Sequence, residues 1–496
     1  MSVRAASPRR PVSLPASGPW TALLLTPLLL LACSEDGGPD SVAVGRPDGA
    51  VGDAGAGMDA GPPFIRPDDP SWPRTEGMVV LPHDGPTATY SFRIEPELGA
   101  LDVHMSIDTT SSIGQEIREL QAQLNSVVVA EITDRVPDVA FGVSRFEDFP
   151  LPPFGSDGND SRLPTNRPDS PFLLLTPITK SRSRLNDAIF GLDRPLGFGG
   201  DTPESGAEAL YQIATGEGYV HGRTEIIEPF FAAGSGAAGD IGGVGFREQT
   251  LHVVLHVTDA VMHNPLDYGQ AFPNTHGIAD ATVALEAIGA RVIGVVSGCP
   301  EEVETCRSDA RTQLELLAIA TSAHVPPTDD LCATGVDGAT RPPVGGTCPL
   351  VFDVRDNGRG LSETVVDGIV ELVDNLNFGE VQAVSGADPL GFIRSVRAVP
   401  PPPAPDPPML ADLLPDGAPD GVFETFVDTS RSTPLEFEVT LHNPVIVPSA
   451  VEQRFRIVVR VTGDGLLLEE HGIAVVVPPG VPPAPPAPPE DDAGTP

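Results

Sequence analysis

Three short segments of this 496-residue sequence collect hard oxygen ligands. Asp108-Thr109-Thr110-Ser111-Ser112 sets a carboxylate and two hydroxyls at i, i+2 and i+4. In an extended loop alternate side chains project together, so Asp108, Thr110 and Ser112 supply one face of a coordination shell. Gly199-Gly200-Asp201-Thr202-Pro203-Glu204 and Thr258-Asp259-Ala260 offer further oxygens. Mg²⁺ takes about six oxygens in near-octahedral geometry and usually keeps several waters. Hydroxyl ligands matter because they are neutral. An ion held by few carboxylates keeps net positive charge and still attracts an incoming carboxylate. Each segment taken alone also has a plain structural reading. Asp-Thr-Thr-Ser-Ser is a serviceable helix N-cap, and Gly-Gly-Asp-Thr-Pro is a turn leading into a helix with proline near its start. Asp259 serves equally as a cap, and Glu204 as a first-turn helix charge. Their joint occurrence at strand ends is what points to a cation.

The elements that must position these residues alternate along the chain. Leu101–Ile107 reads as a strand, and Ile113, Ile117, Leu120, Leu124 and Val128 then repeat at helical spacing. Val139–Phe146 and Phe172–Ile178 read as further strands, and Leu251–Thr258 is a nearly continuous apolar run, as in a central parallel strand covered on both faces. A helix over Ala279–Ile288, a strand over Ala290–Val296, a helix over Ala310–Thr321 and a short strand over Leu350–Val354 follow. Leu361, Val365, Ile369, Val373 and Leu376 mark a last amphipathic helix. Repeated strand–helix units predict a doubly wound α/β fold with a mostly parallel sheet over 99–378. In such sheets ligands bind at the carboxyl ends of the strands, where all three oxygen-rich segments fall. Val79–Ile94 and the region from Glu380 to Val477 carry period-2 patterns, as in Leu435–Leu441 and Phe455–Val461. They predict an adjoining β-sandwich built from the flanking segments, 76–98 and 379–478, with the α/β domain inserted between them. Pro400–Pro408 is a loop in or beside that sandwich.

Asp108-x-Thr110-x-Ser112 resembles the metal-ion-dependent adhesion site of von Willebrand factor A domains. The resemblance implies that Thr202 and Asp259 complete that site. The similarity is closer to the integrin β I-like domain, whose second loop reads D-x-P-E, as Asp201-Thr202-Pro203-Glu204 does here. That likeness makes Glu204 a further metal ligand. Phe141–Asp148 resembles the same family's G-x-F-x-D segment, which implies a neighbouring calcium site using Asp148 and Asp201. Thr258-Asp259-Ala260, with His263 nearby, resembles its fourth loop, although His263 is left out of the expected site. The chain departs from the family where a third metal site would need two acidic residues, since Gln115 and Glu116 stand there. Phe149–Pro171 carries no legible pattern. The family's domain is inserted in a β-sandwich, in agreement with the split pattern above.

The N-terminus carries an address. Arg4, Arg9 and Arg10 precede an apolar run from Trp20 to Ala32 that is too short to span a bilayer. Leu30-Leu31-Ala32-Cys33 resembles a bacterial lipobox, which implies lipidation of Cys33. Residues 1–33 are then a lipoprotein signal peptide and 34–75, rich in Gly, Asp, Ala and Pro, a disordered tether. The last residues, 479–496, form a Pro-rich tail. Export to the cell envelope follows, with the outer membrane expected because Ser34 succeeds the cysteine. Four cysteines remain, and in an exported chain an even number suggests disulfides. Pairing of Cys299 with Cys306 and of Cys332 with Cys348 is expected. A zinc site is the rival reading, against which stand the spacings and the lack of a histidine in the cluster.

Composition limits the function classes. The formal charge is −39 and Lys180 is the single lysine, so a nucleic-acid partner is not expected. No Gly-x-Ser-x-Gly, His-Glu-x-x-His or P-loop is present, and an enzyme is not expected. A metallohydrolase would need a general base beside the ion, and Glu204 is the only candidate. The expected role is capture of a protein partner whose acidic side chain meets Mg²⁺ or Mn²⁺ at the adhesion site. The alternative is an envelope scaffold that uses metal for stability alone.

Overall fold

The computed structural model describes residues 77–480, apart from 124–126, 160–166, 194, 298–303, 356, 402–407, 412–424 and 432, and apart from the side chains of 304–308. Cys33 with its lipobox, the 34–75 tether and Cys299 lie outside the described residues, as do the side chain of Cys306, most of the Pro400–Pro408 stretch and nearly all of the tail.

Two strands open the described chain, β1 (Gly77–Val80) and β2 (Ala88–Ile94). The α/β part follows: β3 (Ala100–Asp108), α1 (Gly114–Gln123), α2 (Val129–Arg135), β4 (Asp138–Phe146), β5 (Leu173–Thr179), α3 (Arg182–Gly191) and α4 (Gly206–Thr215). A hairpin, β6 (Tyr219–His221) and β7 (Thr224–Ile227), leads to β8 (Leu251–Thr258), α5 (Pro265–Tyr268), α6 (Ile278–Ala287), β9 (Arg291–Val296) and α7 (Glu304–Ala320). The part closes with β10 (His324–Val325), β11 (Cys348–Pro349), β12 (Val351–Asp353) and α8 (Leu361–Asp374). Its six-stranded sheet runs β12-β9-β8-β3-β4-β5 and is parallel except at the β4–β5 edge. This is a doubly wound, Rossmann-like arrangement.

β3 and β8 are buried along their whole lengths, as strands with neighbours on both sides and helices on both faces must be. Leu101, Val103, Met105 and Ile107 fill one face of β3, each contributing about 1.5–3 kcal/mol by burial. The other face is polar yet closed. Asp102 accepts from Arg247 and Thr250, His104 bonds Ser144, Ser106 bonds His256, and Asp108 ends the row at the carboxyl edge. Gly206, near the start of α4, lets the helix approach this face, since a Cβ there would lie 3.1 Å from His256 Nε2.

The apolar residues at helical spacing fall on the 3₁₀ turn before α1, on α1, and on the π-type turn at Val127–Val128 that leads into α2, and Leu124 lies outside the described residues. Ile113, Ile117, Leu120 and Val128 are all buried.

The remaining strands are β13 (Asn377–Ser385), β14 (Ile393–Ala398), β15 (Met409–Ala411), β16 (Thr425–Ser430), β17 (Leu435–Leu441), β18 (Gln453–Gly463) and β19 (Leu466–Val477). They form sheets of order β1-β19-β18-β13-β16-β15 and β14-β17-β2. The sequence before the α/β part is thus stitched to the sequence after it, with β1 on β19 and β2 on β17. In β17, Leu435, Phe437, Val439 and Leu441 are buried and alternate with half-buried polar residues. Phe437 meets Phe426 of the opposite sheet edge-on at 5.3 Å, and Phe92 stacks on His471 at 4.1 Å. These contacts make the two sheets a sandwich. At the junction with the α/β part, Asp374 at the end of α8 pairs with Arg135 and Arg431.

A disulfide joins Cys332 and Cys348, as short-range pairing implied, and the zinc alternative does not hold for these two cysteines.

Candidate metal centre

The three oxygen-rich segments meet at the carboxyl edge of the sheet. β3 ends at Asp108, and the N–H of Thr109 bonds Phe146 O at 2.9 Å to start the turn. Thr110 is extended (φ −64°, ψ 162°) ahead of a single 3₁₀ turn over Ser111–Ile113. Side chains at alternate positions therefore converge. Asp108 Oδ1 accepts from the Thr110 N–H at 2.9 Å and its hydroxyl at 2.8 Å, and Thr110 Oγ1 lies 3.1 Å from Ser112 Oγ. From β8, Thr258 Oγ1 donates to Asp108 Oδ2 at 2.8 Å. The half-buried Asp259 accepts from the Ser112 hydroxyl.

The second loop is held against this group by its glycines and its backbone. Gly199 has φ +61°, and a Cβ there would fall 2.4 Å from Glu204 Oε1 and 3.2 Å from Thr110 Cγ2. Glu204 N–H bonds Val261 O, and His263 N–H bonds Glu204 O, both at 2.9 Å. This short parallel bridge ties the second loop to the loop after β8. Glu204 is 5% exposed and its Oε2 has no hydrogen-bond partner. Thr202 sits exposed in the same loop and makes no hydrogen bond to the other five residues among the described ones.

The electrostatics follow from this crowding. Burial, then the Asp259 carboxylate, raises Asp108 to about 7, against the opposing effect of its hydrogen bonds to Thr110 and Thr258. Glu204 is pushed up to about 12 by burial and by Asp108, Asp148, Asp259 and Asp169. Burial also raises Asp259. Three carboxylates packed this closely out of water either hold protons or share a cation. The residues fit a divalent ion: Glu204 offers a buried oxygen without a donor, Gly199 leaves the space beside it open, and hydroxyls complete the set.

A second cluster adjoins the first. Asp148, two residues beyond β4, is fully buried. Its Oδ1 accepts from the Phe149 N–H at 2.6 Å and from the Tyr268 hydroxyl at 2.7 Å. Asp148 and Asp201 are brought together as the resemblance implied, and His263 joins them, so that the three form a group able to hold a metal ion. Burial lowers the His263 imidazole, but Asp148, Asp201 and Asp267 outweigh it and raise the group above its ordinary value. Of the positions where a third site would fall, Gln115 is exposed. Glu116 is buried, accepts from Ser297 Oγ at 3.1 Å through Oε1, and has no partner at Oε2.

The stretch without a legible pattern positions the site. Arg167 donates to the buried Glu147 at 2.6 Å. Asp169 accepts from the N–H groups of Ser156 (2.8 Å), Phe198 (2.8 Å) and Gly199 (3.2 Å). It thereby holds the second loop beside Thr110. No sequence pattern marks Asp169. His263 had a signal, four residues after Asp259 in a motif loop, but a lone histidine there is more often a packed residue.

No family model matches the chain, and no curated protein sequence matches it. Among solved structures it is similar to the pilus adhesin SpaC from Lactobacillus rhamnosus GG in its open conformation, at 12% identity and a TM-score of 0.32 over 79% of this chain. It spans 45% of that adhesin's length. It is also similar to a von Willebrand factor type A protein from Catenulispora acidiphila, at 13% identity and a TM-score of 0.31 over 80% of this chain and 71% of that one. The VWA domain of SpRpn10 matches at 10% identity and a TM-score of 0.27, over 54% of this chain and 94% of that one. Likenesses this distant carry no argument about function, and the fold assignment stands on the strand order and direction of the sheet itself.

Proposed function

We propose that this chain is an exported, lipid-anchored binding protein of the bacterial envelope. Its α/β part captures a protein partner through a divalent cation, Mg²⁺ or Mn²⁺, held by Asp108, Thr110, Ser112, Thr202, Glu204 and Asp259. The observation that carries the reading is the buried Glu204 carboxyl, whose Oε2 has no donor while Asp108 and Asp259 crowd the same space. A cation there supplies the positive charge that those carboxylates lack and an open position for a carboxylate from outside. The chain's own groups do the rest. Thr258 and Thr110 hold Asp108 in one orientation, Ser112 bridges to Asp259, and Asp169 sets the height of the second loop. The reading is of a binding protein and not of an enzyme, since Glu204 as a ligand is not free to act as a base.

The test is thermal unfolding of the metal-free protein titrated with Mg²⁺ and Mn²⁺, together with metal-dependent capture of an immobilised Asp-containing peptide library. Both are repeated with Asp108→Ala. A rise in Tm and peptide capture that both vanish in the variant support the proposal. A rise in Tm without capture of any acidic peptide favours the scaffold reading, in which the metal serves stability alone. No response to either cation sinks both. For the anchor, radiolabelled palmitate should enter the wild-type protein in bacteria and not Cys33→Ser.

A further inference from the structure

Arg145, the last residue but one of β4, is 8% exposed and is the only buried arginine among the described residues. It has no ion pair or hydrogen bond to any of them, and its Nε is closed off from solvent without a partner. The two terminal nitrogens are not enclosed in this way, so the guanidinium meets solvent only at its tip. In register with Arg145, Ile107 of β3 lies on one side and Leu173 of β5 on the other. Ile107 is 2% exposed and Leu173 41%, which puts the approach to the tip on the outer, β5 side.

The nearby counter-charge is already taken. Glu147 accepts from Arg167 Nη2 at 2.6 Å and the Thr109 hydroxyl through Oε1. Its Oε2 accepts from Arg167 Nη1 at 3.0 Å and the Ser170 N–H at 2.9 Å. Arg167 is further fixed by Pro195 O, 3.1 Å from its Nε and 2.9 Å from its Nη2. Two guanidiniums therefore attend one carboxylate, and this corner keeps a positive charge in excess on a chain of formal charge −39. Burial lowers the proton affinity of Arg145, with Glu147 opposing and Arg167 assisting, but an arginine in a protein stays charged. A charge so far from water is unfavourable unless something pairs with it.

From this arrangement we infer that Arg145 is the floor of a small oxyanion site, in which a carboxylate, sulfate or phosphate group entering beside β5 meets the recessed guanidinium. The planar fork of arginine matches two oxygens of such a group, a fit that a halide does not offer. Apolar neighbours on both sides lower the local dielectric and strengthen these charge-assisted bonds. Side chains alternate across a strand, so Arg145, in register with Ile107, and Asp108, in register with Phe146, lie on opposite faces of the sheet. The site therefore neither shares a residue with the proposed metal centre nor depends on it.

The metal-free full chain, at constant ionic strength in chloride, is titrated calorimetrically with sulfate, phosphate and formate. Wild type is compared with Arg145→Met and Arg145→Gln, and folding of each is checked by circular dichroism. The expected result is saturable binding of one oxyanion per wild-type chain, a Tm that rises with its concentration, and about a tenfold or greater loss of affinity in both variants. Binding of formate as well as sulfate means that a carboxylate side chain can fill the site, and binding of sulfate or phosphate alone confines it to free ions. In chloride alone Arg145→Met should melt above wild type, because it removes an unpaired buried charge, and sulfate should narrow the difference. On the unmutated protein, sulfate should shift the ¹⁵N resonance of Arg145 Nε. Saturable binding retained by Arg145→Met would put the ion elsewhere and overturn the site. So would an Arg145 resonance unmoved by all three oxyanions, which would leave water as the sole partner of the tip.

Discussion

In the absence of a cation, Glu204 should make the fold lose stability as the pH rises through neutrality. Burial and four neighbouring carboxylates push this carboxyl up to about 12 from an ordinary value of 4.5. Between those values the folded chain keeps a proton that the unfolded chain has released. The contribution of Glu204 to stability is therefore fully present below pH 4.5 and declines above it by about 1.4 kcal/mol per pH unit. From pH 7 to 9 the loss is about 3 kcal/mol, a large share of the 5–15 kcal/mol by which proteins are typically stable. This window avoids the opposing effect of His104 and His256, which burial pushes down to about 3 and which therefore cost stability at acid pH. Urea unfolding in EDTA at pH 7, 8 and 9 reads the slope, with Glu204→Gln as the control, since glutamine keeps the shape and does not titrate. The variant should be flatter than wild type by about 1.4 kcal/mol per unit. Saturating Mg²⁺ should flatten the wild-type slope as well, because a bound carboxylate is ionised in the folded state. Equal slopes for the two metal-free proteins would refute the claim that Glu204 is buried as a neutral acid, and with it the electrostatic case for a cation.

Three further outcomes are expected. Gly199→Ala places a Cβ 2.4 Å from Glu204 Oε1 on a residue with φ +61°. It should cost about 1–2 kcal/mol of stability and at least a tenfold loss of Mg²⁺ affinity by calorimetry, and unchanged affinity would separate Glu204 from the ion. Asp169→Asn weakens the acceptor of three backbone N–H groups. It should destabilise by about 1–3 kcal/mol and speed hydrogen exchange at Phe198 and Gly199, and protection equal to wild type would show that the second loop is anchored elsewhere. Replacing both Cys332 and Cys348 by serine opens a loop of sequence separation 16. A loss of about 3 kcal/mol is expected with the Mg²⁺ response kept, because the bridge lies beyond the β12 edge of the sheet and not at the β3–β8 edge. A lost response would contradict that separation.

Arg167, in the loop beside the second segment, is paired with Glu147, and Arg247, at the opposite end of β3, with Asp102 and Asp138. Asp108 has only hydroxyl and N–H donors, which on the proposed reading a metal ion would supplement.

What this sequence determined alone is what depends on neighbours within a few residues. The Asp108, Thr110 and Ser112 side chains stay together after folding because the extended Thr110 and the 3₁₀ turn that follows it bring them together locally. The strand–helix order and the burial of Leu251–Thr258 were equally legible, since periodicity records which faces are covered. Other features belong to the tertiary structure. Asp169 and Arg167 act from a loop without pattern: the partners of Asp169 are backbone N–H groups that any sequence offers, and that of Arg167 is Glu147 across the loop. His263 gains its meaning from Asp148 and Asp201, and those three loops meet only because β8 lies beside β3 and β3 beside β4. The charge state of Glu204 was illegible for the same reason: a carboxyl's proton affinity is set by burial and by charges across space, and strand order decides both.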